Sequence, residues 1–313
     1  MAEELDRTGK TDRSAEGSGG FMNSYHPYAI VTIVCWSLAY VLTRLALRHF
    51  TALPIGFMRY AVASLALLYV VIKFRIPPPR IADLPLFLLC GASGYFIYVT
   101  TFNVGSVTTS AATSSIVIST APIMTAFLAR FVYKEKLRRV QWFAIAVEFV
   151  GILILTAMRG GLIANRGLLW LLLAALSFCV YNLAQRKLVK RYTALQASTY
   201  SIFAGTIMLM AFMPQAMVEL WHAPVVAVVY VVVMGLFSSA LAYVSWSKAM
   251  ERAHGVAAVS NYMFATPFLT AVLGFLMAGE VPDLSTIIGG GVIMAGLLLF
   301  YFGPVWLPSE GRR

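Results

Sequence analysis

Two stretches of this 313-residue chain carry one pattern: "TAPIMTAFLARFVYKE" at residues 120–135 and "ATPFLTAVLGFLMAGE" at residues 265–280. Each sets a proline in an apolar run, adds Thr-Ala three residues on and then a leucine, and reaches a glutamate thirteen residues after the proline. The first copy closes between Lys134 and Lys136, whereas the second continues as "GEVPDL" with no base. A slide of 145 residues superposes Pro122 on Pro267, Thr125 on Thr270, Leu128 on Leu273, Glu135 on Glu280 and Gly151 on Gly296. A slide of 142 superposes Thr51 on Thr193, Arg44 on Arg186 and Phe50 on Tyr192. The chain therefore reads as an internal repeat.

Composition says where such a repeat can live. Sixty per cent of the residues are apolar or aromatic, 12% are charged, and the mean hydropathy is +0.79, far from the balance of soluble domains. The net charge of +11 comes from short basic clusters between apolar runs, which is a membrane-orientation signal and excludes nucleic acid as the partner. The lipid bilayer is the expected partner. Cys35, Cys90 and Cys179 lie inside apolar runs without CxxC spacing or a neighbouring histidine, so no metal site and no cofactor is expected. Residues 1–24 lack the apolar core of a signal peptide and read as a disordered polar tail.

The long apolar runs without two-residue alternation predict helices rather than a barrel. Ten spans are expected, at about 28–48, 55–74, 84–104, 110–132, 139–157, 167–186, 194–213, 224–247, 256–277 and 285–302. Pro54, Pro77–Pro79, Pro214, Pro224, Pro282 and Pro304 mark their ends. The bases fall mainly on the side of the two termini, including Lys73, Arg75, Lys134 to Arg139, Arg186 to Arg191, Lys248 and Arg252. The other side holds Arg48, Arg159 and Arg166, with Arg44 and Arg59 just inside helix ends. Both termini are thus expected in the cytoplasm. Five spans per half is an odd number, so the second half must be inverted. The fold class is an all-α polytopic membrane protein, ten transmembrane helices in two inverted five-helix repeats around a central cavity. Its expected divisions are residues 1–24, 25–158, 159–305 and 306–313.

A ten-helix chain of two halves, each carrying "P..TA.L......E" before an apolar helix with Gly151 or Gly296, resembles the EamA-type drug/metabolite transporter superfamily over residues 25–305. Within it, the aromatic interior and length look most like bacterial aromatic amino-acid exporters of the YddG type. The resemblance implies a bacterial inner-membrane protein, a cavity lined by helices 1, 3, 4, 6, 8 and 9, helices 5 and 10 as outer scaffold, and export from the cytoplasm.

Transport of a small solute needs aromatic and polar groups facing a cavity, where they replace the water the substrate gives up. Helix 1 offers Trp36 and Tyr40, one turn apart. Helix 3 offers Tyr95, Tyr98 and Phe102, with Asn103 beside them. Helix 6 offers Tyr181, Asn182 and Gln185, helix 8 offers Ser239, Tyr243 and Trp246, and helix 9 offers Asn261 and Tyr262. Each ring has a plainer reading as packing. Thr113 and Ser114, in the hydroxyl-rich start of helix 4, either cap and pack that helix or aim its positive end at a substrate carboxylate. Pro122 and Pro267 are matched bends, either hinges or static kinks. "GGGVIMAG", residues 289–296, reads as tight packing of helix 10 or a dimer contact. Glu148 is the carboxylate in mid-helix; it carries a coupling proton or has a structural role, the latter favoured because helix 5 is expected outside the cavity.

Three functions compete. The first is a secondary exporter of amino acids, preferably aromatic and other neutral ones, working by alternating access. The second is an exporter or exchanger of another small metabolite, such as a sugar phosphate, for which Arg44 and Lys248 would be the cations. An intramembrane enzyme fares worst, because the four histidines lie outside or at the ends of spans. A channel is disfavoured by the repeat.

Overall fold

The computed structural model describes residues 24–132, 138–158, 166–253, 259 and 261–306, and all their regular structure is helical. The polar tail, the cluster of Lys134, Glu135 and Lys136, Arg159, His254 and the side chain of Asn261 lie outside the described set. The helices are α1 (His26–Ala46), α2 (Ala52–Phe74), α3 (Ile81–Thr108) and α4, in two segments (Ala111–Ile118 and Ala121–Val132). Then come α5 (Arg139–Met158), α6 (Arg166–Leu188), α7 (Ala194–His222) and α8 (Val225–Arg252). A 3₁₀ turn (Asn261–Phe264) leads into α9 (Ala265–Ala278), and α10 is Leu284–Trp306. Six helices, α1, α2, α3, α6, α7 and α8, are long and apolar enough to cross a membrane, and α4, α9 and α10 add shorter apolar segments. Large apolar side chains such as Leu65, Ile72, Phe275 and Leu276 stay exposed, as a surface covered by lipid requires. The chain is a multi-pass helical membrane protein.

Local chemistry sets the boundaries. Thr193 caps α7 in a capping box with Gln196, and Ser110 Oγ accepts from the Thr113 amide at the start of α4. Pro214 does not end the seventh helix. A 3₁₀ turn at Met210–Phe212 precedes it, so Pro214 falls in the first turn of the resumed helix Met213–His222, where a missing N–H costs no intrahelical bond. Pro304 likewise lies inside α10 rather than beyond it.

Helical landmarks recur at a fixed offset. Moving along the chain by 142 residues carries the last residue of α1, Ala46, onto that of α6, Leu188, and the first residue of α2, Ala52, onto that of α7, Ala194. The same offset carries Ala92, where α3 turns π-helical (Ala92–Ile97), onto Met234, where α8 does so (Met234–Leu241). Such wide turns are rare and gather at functional sites.

Helices α5 and α10 pack along each other. A β-carbon on Gly296 would stand 2.8 Å from the Glu148 amide nitrogen, and one on Gly289 2.7 Å from Leu155 Cβ. Gly290 is closed by Ile116 of α4, and Gly291 faces open space. Two of the four glycines in "GGGVIMAG", Gly289 and Gly296, thus let the backbones of α5 and α10 approach closely, and Gly290 makes room for the Ile116 side chain.

Candidate functional site

The centre of the molecule is a cluster of aromatic rings drawn from α1, α2, α3, α6 and α8. Trp36 lies 5.5 Å from Phe178, 5.3 Å from Tyr243 and 5.0 Å from Trp246, centroid to centroid. Tyr95 touches Tyr243 at 4.7 Å and Tyr60 and Tyr181 at 5.4 Å each. Tyr40 meets Phe102 edge-on at 5.3 Å, and Tyr98 bridges Phe102 to Phe178. Edge-to-face contacts dominate, the arrangement ring quadrupoles prefer. The offset of 142 that relates the helix ends also relates Trp36 to Phe178, so equivalent residues of the two halves meet at this centre.

Polar groups interrupt the rings. The Tyr95 hydroxyl donates to that of Tyr181 at 3.1 Å, and the Tyr243 hydroxyl reaches the Gly94 carbonyl at 3.4 Å. Both contacts involve the π-helical turn of α3. Trp246 Nε1 donates to Asn182 Oδ1 at 3.3 Å, and Gln185 Nε2 donates to Ser247 Oγ at 2.8 Å. Asn182 Nδ2 and Gln185 Oε1 are buried without a hydrogen-bond partner. Each such group carries a desolvation cost of about 1–3 kcal/mol unless something meets it. One donor and one acceptor, next to the rings, suit polar groups of a small solute.

A further member of the cluster is Arg59, which sequence reading set at a helix end. It is the eighth residue of α2, about 10 Å along the helix axis, and only 3% exposed. Arg59 Nε donates to Ser239 Oγ, a terminal nitrogen reaches the Ser238 carbonyl at 3.5 Å, and the guanidinium carbon lies 5.3 Å from the centroid of Tyr60. Position was the available signal: counting from the cap Thr51, residue 59 is two turns into the span, where an ionisable group calls for explanation.

The remaining sequence-derived residues fall elsewhere. Asn103 Nδ2 holds the Ala52 carbonyl at 2.9 Å, while its Oδ1 is unpartnered. Thr113 Oγ1 pairs with Thr286 at 2.8 Å and Ser114 with Thr109 at 2.8 Å, away from the rings. The positive end of α4 meets a carboxylate of the protein itself: Glu280 accepts from the Ala111 amide at 2.9 Å and from Arg44 Nε at 3.0 Å. Arg44 also donates to the Ser106 and Val107 carbonyls, and Lys248 pairs with Glu251 at 3.0 Å. Both cations considered for a sugar phosphate are therefore engaged. Tyr262 hydrogen-bonds His26 at the terminal side of the bundle.

Pro122 and Pro267 occupy matched junctions. Helix α4 breaks at Ser119 and Thr120, whose hydroxyls bond back to the Ser115 and Val117 carbonyls at 2.7 Å, and Pro122 sits in the first turn beyond. Pro267 sits in the first turn of α9, after the 3₁₀ turn. Glu148 is 3% exposed, beside an apolar groove of about 440 Å³ lined by α4, α5 and Leu176 of α6, and its Oε1 has no partner.

The model of the EamA-like transporter family matches twice, over residues 23–157 and 165–302. The chain is 32% identical to a probable terminal-alkyne amino-acid exporter of Streptantibioticus cattleyicolor, over 86% of this chain and 91% of that one. It is 28% identical to an uncharacterized transporter, YdfC, of Bacillus subtilis, over 85% and 87%. A solved crystal structure of a protein matches with a TM-score of 0.62 at 16% identity, over 88% of this chain and 96% of that one; at that identity the likeness concerns the fold alone.

Proposed function

This chain belongs to the EamA-like transporter family, and is a membrane transporter of small molecules rather than an enzyme; from that premise we propose that it exports amino acids, preferably aromatic and other neutral ones. The observation that carries the reading is the ring cluster of Trp36, Tyr95, Tyr181, Tyr243 and Trp246, all buried, with half-buried Tyr98 beside them and the unpartnered amide atoms of Asn182 and Gln185 at its edge. Rings bind an aromatic side chain by stacking, and the free amide donor and acceptor can meet polar groups of the bound solute. The 32%-identical relative named as a probable amino-acid exporter supports the same substrate class.

On this reading the ten helices form two inverted five-helix repeats in a bacterial inner membrane, both termini in the cytoplasm. Two matches to one family, the recurrence of helix ends at one offset and the paired π-helical turns support the repeat, and the bias of bases supports the orientation. The halves rock about a central site, and the helix junctions at Pro122 and Pro267 act as the paired bends. The test is a counterflow panel in proteoliposomes. Neutral aromatic amino acids should exchange with labelled tryptophan, and sugar phosphates should not; the reverse order would replace this reading with the metabolite exchanger.

A further inference from the structure

We propose that Arg59 is the anchor for the substrate's carboxylate and so sets the charge class the transporter accepts, an inference that rests on the amino-acid exporter reading. A guanidinium is permanently charged and has five donors in a planar fork. In a membrane interior such a charge is costly unless it is paired or serves a function. Here it is 3% exposed, its hydrogen bonds go to one serine hydroxyl and one carbonyl, and no carboxylate pairs with it among the described residues. Two described carboxylates are engaged elsewhere: Glu280 is held by Arg44 and the α4 amide, and Glu219 by Thr51 and Gln215 at the start of α2.

The surroundings complete the site. Arg59 bonds to Ser239 in the π-helical turn of α8, and its guanidinium carbon stands 5.3 Å from the centroid of Tyr60, whose ring packs on Tyr95 and Tyr243. The hydroxyls of Ser239 and Tyr60 can help to solvate a carboxylate held by the fork. Seven residues further along α8, on the order of 10 Å, Trp246 stands against Trp36 and Asn182. A carboxylate at Arg59 thus leaves the side chain among the rings. One fixed cation matches a monoanionic carboxylate; a phosphate dianion would need a second, and Arg44 and Lys248 are engaged in ion pairs. Under the offset of 142 the equivalent of Arg59 is Ser201, so the charge belongs to one half and gives the bound amino acid a single direction.

The experiment is inhibition of labelled-tryptophan counterflow in proteoliposomes by analogues lacking one charge at a time, in the wild type and in Arg59→Gln. In the wild type, tryptophan and indole-3-propionate, which retain the carboxylate, should inhibit at least tenfold better than tryptophan amide. Arg59→Gln should raise the tryptophan concentration for half-inhibition at least tenfold and leave that for the amide unchanged. Equal inhibition by tryptophan and its amide in the wild type would overturn the proposal without any variant. So would a folded Arg59→Gln protein, judged by its thermal unfolding, that keeps the wild-type preference. If Arg59→Gln does not fold, Arg59→Lys decides: retained charge without the fork should keep the preference for carboxylates with weaker binding, and a lost preference would count against the assignment. Carriage of no amino acid by the wild type defeats the exporter reading itself, a result distinct from normal flux with no preference for a carboxylate.

Discussion

Gly94→Ala probes how tightly the ring cluster is built. Gly94 lies in the π-helical turn of α3, and a β-carbon there would stand 2.3 Å from Tyr181 Cδ2, 2.7 Å from Cγ and 3.0 Å from Cε2. Carbon atoms rest near 3.5–4.0 Å, so the ring would have to retreat by more than about 1 Å. It has little room, since Tyr95, Phe178 and Tyr243 hold it on other sides and it is fully buried. Overpacking of this kind costs about 1–3 kcal/mol. Against it stands the gain of roughly 0.5–1 kcal/mol from alanine in a helix. The net expectation is a loss of about 1–2 kcal/mol, read as the shift in reversible unfolding in mixed micelles, together with a raised KM for transport because Tyr181 is displaced. In a Tyr181→Ala background the clash is gone, so the same substitution should be neutral or stabilising by up to about 1 kcal/mol. Additive behaviour, with Gly94→Ala costing the same in both backgrounds, would refute the claim that these two residues define the packing of the cluster.

Other consequences follow from the same geometry. Trp246→Phe keeps a ring but removes the donor to Asn182, so the KM for tryptophan should rise several-fold with folding intact, as measured by flux at graded substrate. Glu280→Gln breaks the ion pair with Arg44 and weakens the cap on α4; the groups are 29% and 19% exposed, so the loss should be only about 1 kcal/mol and should shrink in high salt. Arg48→Cys and Lys190→Cys, in a background lacking the three buried cysteines, should label from opposite sides of the membrane; labelling from the same side removes the inverted repeat. Pro122→Ala and Pro267→Ala should each slow turnover while leaving KM near its original value, and a single-turnover assay distinguishes this from lost binding.

Much of the helical framework could be read directly, because an apolar run of membrane length has few alternatives. Helix α5, expected at 139–157, is Arg139–Met158, and α4, expected at 110–132, ends at Val132. Proline misled where context reversed its meaning: Pro214 reads as a stop, but one 3₁₀ turn makes it a first-turn residue. The stripes Trp36–Tyr40 and Tyr95–Tyr98–Phe102 were legible as helix faces, since spacing of three to four residues fixes a shared side. What spacing cannot give is the partner. Thr113 meets Thr286 and Ser114 meets Thr109 only because α4 lies beside α10 and the end of α3, and Arg59 joins the ring cluster because α2 packs on the π-helical turn of α8. The groove beside Glu148 also depends on how three helices meet.

Carriage of amino acids across the membrane by the ring cluster can be measured directly. The most direct measurement is efflux of labelled tryptophan from proteoliposomes containing the purified chain, with Trp36→Ala measured beside it. Saturable, protein-dependent efflux is expected from the wild type, with a large loss in a Trp36→Ala protein that remains folded. Wild-type liposomes that release tryptophan and other neutral amino acids no faster than empty ones, or equal efflux from the variant, would contradict it.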